Sequence, residues 1–238
     1  MFALSEEHKL VQQMVRRWVD AKLAPQTAAL ESGELLPYDL MRDFAKTFDL
    51  PSMVKAGFDK MAEKSQSDQP GSADLSTLGG GDPGLTAVIA IEMSRINPGF
   101  YLAFGATLGL AGGAIMNKGT LAQKKRWALP ILTLEKIGCW AMTEPGAGSD
   151  AFGSMRTVAK QDGDHWVLSG QKTFITNAPF ADICVVYAKI DPAEGGSAKI
   201  DSTAGTPLRE RPFHAFIVEK GTPGLAQGKP MHKMGMHT

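Results

Sequence analysis

Residues 139–150, CWAMTEPGAGSD, place an apolar, strand-like run directly before a Thr-Glu-Pro turn and a Gly-Ala-Gly-Ser-Asp loop. Gly146 and Gly148 add no side chain and can take positive φ, and Ser149 offers a donor, so backbone amides here can approach a ligand closely. Such a loop suits a phosphate or a carbonyl oxygen. The same residues would also make a plain turn between strands, closed by an Asp or Ser side chain. Two nucleotide signatures are absent. Gly146-Ala147-Gly148 lacks the third glycine and opening helix of a dinucleotide fingerprint, and in GQKT, residues 170–173, Gln171 separates the glycine from the lysine that a phosphate loop holds adjacent.

A second stretch, SGQKTFITNA at 169–178, reads as a strand. Alternation then puts Thr173, Ile175 and Asn177 on one face and Lys172, Phe174 and Thr176 on the other, where an aromatic ring and a hydroxyl could hold a flat ligand. Taken alone, Phe174 is more often a core residue and Thr176 more often a cross-strand partner, since both types are good strand formers. The two stretches together give the ligand reading its weight.

These residues need a scaffold. In the first half, Ser5 caps a helix with Glu6 and Glu7 at its positive end and Val11, Met14, Val15, Trp18 and Val19 at helical spacing as far as Pro25. A second helix starts at Pro37 and carries Leu40, Met41, Phe44 and Phe48. A third spans 85–95, and a short one spans 121–129 and ends at Pro130. The uncharged run 99–116 reaches the lower length of a membrane span. Its Gly and Ala content, single occurrence and lack of interfacial anchors identify it instead as a central helix, with Gly105, Gly109 and Gly113 permitting close packing.

Residues 65–84 read as a long surface loop. After residue 138 the period changes, and segments 138–143, 154–160, 165–169, 172–176, 182–190 and 213–219 read as strands, with 191–212 a polar excursion. Helices followed by strands predict an α+β chain of two segregated domains, 1–134 and 135–238.

The 25 basic residues balance 25 acidic ones, which leaves no global field for nucleic acid or an anionic membrane. Cys139 and Cys184 lie in apolar runs without metal-ligand spacing, as core residues of a reducing compartment. The charged N-terminus does not read as a signal peptide, so a cytoplasmic location is expected.

AMTEPGAGSD at 141–150 followed about two dozen residues later by GQKTFITNA at 170–178 resembles the acyl-CoA dehydrogenases, a specific paired signature. The N-terminal helix, the stretch GTLAQKKRWALPIL at 119–132 and KMGMHT from residue 233 are similar as well, whereas 59–84 and 191–212 match least. The resemblance implies a helical N-terminal domain, a middle β-barrel and a C-terminal four-helix bundle, with the bundle lying beyond residue 238. It also implies FAD, an acyl-CoA substrate dehydrogenated at its α,β bond, an electron-transferring flavoprotein as acceptor, and a homo-oligomer.

In the family a glutamate of the bundle removes the α proton, so no catalytic residue is assigned here and Glu144 is not given that role. By resemblance, Trp140, Ala141, Met142 and Thr143 line the flavin, the last two bonding to its pyrimidine end. Gly148 and Ser149 lie between flavin phosphate and substrate, with Ser149 also near the acyl chain. Phe174, Ile175 and Thr176 flank the ring, a tryptophan being common at the first, and Thr176 sits near flavin N5. Without the bundle, residues 1–238 are expected to bind FAD weakly and to turn over little. A non-catalytic acyl-CoA or flavin binding module, an acyl-CoA oxidase and a flavin monooxygenase on the same fold are the alternatives, and acyl-chain length stays open.

Overall fold

The computed structural model describes residues 4–65, 81–191 and 206–237, so most of the expected loop at 65–84 and of the excursion at 191–212 lies outside the described residues. Helix α1 (Glu6–Trp18) starts with a reciprocal cap in which the Ser5 hydroxyl accepts from the His8 amide and the His8 ring accepts from the Ser5 amide. The rod does not end at Pro25. It passes through a π turn (Val19–Leu23) and a 3₁₀ turn (Ala24–Gln26) into α2 (Thr27–Ser32). The wide turn lets the Ala24 amide reach the Val19 carbonyl, and Pro25 falls at the start of the next turn, where its missing N–H costs nothing.

The same device carries α7 (residues 121–132) past Pro130, which follows the π turn Lys124–Ala128. Between these rods lie α3 (Tyr38–Thr47), α4 (Leu50–Ser65), α5 (Pro83–Ile96) and α6 (Pro98–Lys118). Helix α4 was not among the sequence expectations, although Pro51 in its first turn and Val54, Phe58 and Met61 at helical spacing mark its inward stripe. Helix α6 is the long apolar run, and two thirds of its apolar window is buried within the fold, so it is a core helix. Close approach occurs at Gly112, where a Cβ would stand 2.8 Å from Leu132, rather than at Gly105, which faces open space.

Five described strands form one mixed sheet: β1 (Gly138–Ala141), β2 (Val158–Asp162), β3 (His165–Ser169), β4 (Ile183–Asp191) and β5 (Phe213–Glu219). Antiparallel β5 takes one edge of β4 from Ile183 to Lys189, so β1 (against 183–186) and β2 (against 189–191), both parallel, share the other. Strand β3 pairs with β2, and the hydrogen-bonded path among the described residues is open. A short helical turn, α8 (Ala151–Ser154), occupies the start of the expected 154–160 strand.

Segment 172–176 is not a strand, because Phe174 (φ 54°) and Asn177 (φ 69°) both turn left-handed. One apolar core runs from Val15, Phe44 and Phe100 through Ile131 and Ile137 to Ile183 and Val185, so the helices lie directly on one face of β1 and β4. On the other face Cys139 and Cys184, register partners and both buried, pack with Ala181 and Ile175.

Candidate functional site

The loop after β1 is built around a buried carboxylate. Glu144 is 5% exposed, and its side chain accepts from the Lys172 ammonium (2.8 Å), the Thr157 hydroxyl (2.5 Å) and amide (3.0 Å), and the Arg156 amide (2.7 Å). Burial alone would push this carboxyl up. The donors, led by Lys172, outweigh it and hold the group below the usual glutamate range. Burial likewise draws the Lys172 ammonium below its ordinary value, and Glu144 opposes that shift. Oε1 of Glu144 accepts three of these hydrogen bonds and Oε2 one, so the carboxylate is committed to the clamp and is not a free base.

The same ammonium donates to the Met142 carbonyl (3.0 Å), and the Thr173 amide donates to the Thr143 carbonyl (2.9 Å). The two signature stretches are thus clamped side by side, 28 residues apart in sequence. Glu144 and Ala147 exchange backbone hydrogen bonds that close the turn between them. A glycine is required at 170, since a Cβ there would stand 2.7 Å from the Thr157 Cα.

Beyond the clamp, the chain presents residues outward. Phe174 is 70% exposed, and the hydroxyls of Thr143, Ser149 and Thr176 make no hydrogen bond among the described residues. Gly146 and Gly148 have no positive φ, and a Cβ on either would meet nothing within 4 Å. Neither turn geometry nor packing demands glycine there, and their exposed amides and that of Ser149 have no internal partner among the described residues. That combination of donor-lined open space, free hydroxyls and an exposed aromatic fits a planar ligand with a phosphate-bearing tail.

The expected wall is only partly gathered. Trp140 lies on the helix-covered face, its indole N–H donating to Tyr187 (3.1 Å) with the rings edge-on at 5.2 Å. Ile175 packs on the opposite face, near Cys139 and Cys184. Ala141 and Met142 are buried. The carbonyls of Met142 and Thr143 are occupied by Lys172 and Thr173, which leaves Thr143 its hydroxyl. Thr143, Gly148, Ser149, Phe174 and Thr176 remain the residues that offer groups to solvent.

Sequence reasoning did not find Lys172, Thr157 and Asn177 as organisers of the site, because their partners are distant in sequence. It also did not find an open groove of about 620 Å³ beside α8, lined by Phe152, Lys189, Arg209, Arg211 and Phe213. Lys189 is buried and donates to the Arg209 and Arg211 carbonyls, while Arg211 pairs with Asp191. Arg209, 73% exposed at its side chain, reaches Asp150 at 3.5 Å.

The family model described as "Acyl-CoA dehydrogenase, middle domain" matches residues 139–238, and "Acyl-CoA dehydrogenase, N-terminal domain" matches residues 74–135. A short-chain specific acyl-CoA dehydrogenase of Clostridium acetobutylicum is 32% identical over 99% of this chain and 53% of its own length. The caffeyl-CoA reductase-Etf complex subunit CarC of Acetobacterium woodii is 33% identical over 98% of this chain and 53% of its own. The crystal structure of an acyl-CoA dehydrogenase complexed with FAD from Bacillus anthracis superposes with a TM-score of 0.68 at 30% identity, covering 98% of this chain and 34% of that one. The chain spans about half the length of the curated relatives it matches.

Proposed function

Since this chain belongs to the acyl-CoA dehydrogenase family, we propose that it forms the flavin-facing wall and helical flank of an FAD-dependent enzyme that dehydrogenates an acyl-CoA thioester at its α,β bond. The observation that carries this reading is the clamp of Lys172 on Met142 and Glu144, which ties the loop bearing the open amides of Gly148 and Ser149 to the segment bearing the outward Phe174 and Thr176. FAD, when bound, supplies the acceptor for the hydride that leaves the β carbon. The chain's own residues bind and orient. The amides of Gly146, Gly148 and Ser149 would hold phosphate, the Thr143 hydroxyl and the amides of Met142 and Thr143 the polar edge of the ring, Phe174 its plane, and the Thr176 hydroxyl the region of N5.

Ser149 would also meet the thioester chain. Glu144 is held as a carboxylate by Lys172, Thr157 and the Arg156 amide, and the α-proton base is assigned to no described residue. The name of the Acetobacterium relative supports an electron-transferring flavoprotein as acceptor. A homo-oligomer, a cytoplasmic location and a domain division at 134/135 belong to the same proposal.

The test is anaerobic mixing of the FAD-loaded protein with a panel of saturated acyl-CoA thioesters, alone and with the remaining half of the family fold supplied. Bleaching of the visible flavin band with formation of the α,β-unsaturated thioester is expected in the completed protein. Full flavin loading with no bleaching by any thioester in the panel would instead favour a binding module.

A further inference from the structure

Asn177 is the last but one residue of the second signature stretch and has no part in the ligand wall, yet it is among the most constrained residues of the region. It is 8% exposed and sits at φ 69°, a left-handed conformation that asparagine tolerates better than other non-glycine residues. Its side-chain amide donates to the Thr107 hydroxyl (2.9 Å) and the Ala103 carbonyl (3.0 Å) of α6, with a longer contact to the Gly138 carbonyl of β1 (3.4 Å). Its side-chain oxygen accepts from the Tyr38 hydroxyl of α3 (3.4 Å). The Thr107 hydroxyl in turn donates to the Gly138 carbonyl (3.3 Å). The backbone carbonyl of Asn177 accepts from the amides of Phe180 and Ala181, both at 2.9 Å.

Three core elements therefore converge on one side chain, and the next residue back along the chain is Thr176, whose hydroxyl is free. We infer that Asn177 is a positioning residue for Thr176: by locking its own left-handed backbone to α3, α6 and β1, it fixes the peptide plane that joins the two residues and so aims the Thr176 hydroxyl at the ligand wall. The other end of the segment is fixed independently, by the Lys172 clamp and the bond from the Thr173 amide. Residues 174–176 are held between these two pins. Removing one leaves the segment attached and the cofactor contacts present but misaimed, and a misplacement of this kind lowers a chemical step more than it weakens binding.

The inference rests on the flavin reading of the wall, and the experiment separates the two. On the FAD-loaded full-length protein, Thr176→Ala, Asn177→Gly and the double variant are compared. Glycine keeps the left-handed backbone accessible while removing the side-chain bonds. The measurements are the flavin midpoint potential, the rate of flavin reduction by acyl-CoA, and KM. Asn177→Gly is expected to retain flavin, to shift the potential in the same direction as Thr176→Ala and to slow reduction about tenfold to a hundredfold, with KM little changed. The double variant is expected to be no slower than Thr176→Ala alone, because the positioning residue acts only through the hydroxyl.

Multiplicative losses in the double variant, or a change in melting temperature with potential and rate untouched, would overturn the inference. A shift in Thr176→Ala with none in Asn177→Gly overturns it while leaving the flavin reading intact. No shift in Thr176→Ala removes both. If Asn177→Gly does not fold, Thr107→Val deletes the 2.9 Å acceptor and leaves Asn177 in place; it should give a smaller shift in the same direction, and an unchanged potential and rate would overturn the inference equally.

Discussion

Replacing Lys172 by methionine keeps an unbranched, flexible stem, one atom shorter, and removes its charge. The ammonium is 11% exposed and its partner Glu144 5%, so deletion leaves a buried carboxylate with three donors where it had four, and leaves the Met142 carbonyl without its partner. Breaking a buried pair from one side costs about 3–5 kcal/mol, and the three surviving donors to Glu144 place this case at the low end, about 3 kcal/mol. That is a large share of the roughly 5–15 kcal/mol that stabilises a typical domain. The double variant Lys172→Met/Glu144→Gln removes both charges and should recover much of the loss, to about 1 kcal/mol below the parent, because no uncompensated ion remains.

The assay is urea unfolding of parent, single and double variants across pH. The carboxyl of Glu144 is depressed in the folded parent, so its contribution is fully present above the unfolded glutamate pKa and is lost as pH falls through the folded value. The gap between parent and Lys172→Met should accordingly be widest at neutral pH and narrow in acid. A gap independent of pH, or a double variant as unstable as the single, would refute the clamp.

Three further outcomes are expected. Gly148→Val should leave unfolding free energy within about 0.5 kcal/mol, since its Cβ meets nothing within 4 Å, while FAD affinity measured by titration falls about tenfold. Gly170→Ala should cost about 2–3 kcal/mol in urea unfolding, because its Cβ would stand 2.7 Å from the Thr157 backbone, which cannot yield as a flexible side chain would. Glu92 is fully buried in the helical half, bound by Arg16 through two hydrogen bonds (2.7 and 2.8 Å) and by Gln12. The hydrogen bonds from Arg16 chiefly hold its carboxyl low. Glu92→Gln should destabilise the protein at neutral pH by about 2 kcal/mol, and the difference should shrink as pH falls through the carboxylate range, as read by thermal melting.

Where structure follows local pattern, the sequence was sufficient. Strands β3 and β5 lie where alternation put them, and α5 starts within two residues of its expected position because Asp82 caps it. Helix α4 is the exception, a local stripe of Val54, Phe58 and Met61 that was passed over, and the other mistakes arise from causes outside the local pattern. Pro25 and Pro130 looked like helix ends, since nothing local announces the π turns that accommodate them. Segment 172–176 had the composition of a strand, but Lys172 turns inward to Glu144 and Asn177 to α6. Two tertiary polar anchors thereby override a pattern of good strand formers. The glycines at 146 and 148 were read as a loop free to take left-handed torsion; neither does, and a Cβ on either would meet open space.

The sharing of one edge of β4 by β1 and β2 has a consequence for the order in which the molecule can assemble. The Ile137 amide, just before β1, bonds to the Asp182 carboxylate across 45 residues of chain, and among the described residues β1 has no sheet neighbour until β4 arrives. On a ribosome the helices emerge first, with the faces that Ile183 and Val185 will cover still bare, and the loop after β1 waits unclamped until Lys172 is made. Pairing at such sequence separation is slow. Docking of the central strand is therefore expected to come late in folding, and only then is β1, which carries the clamped loop, paired in the sheet.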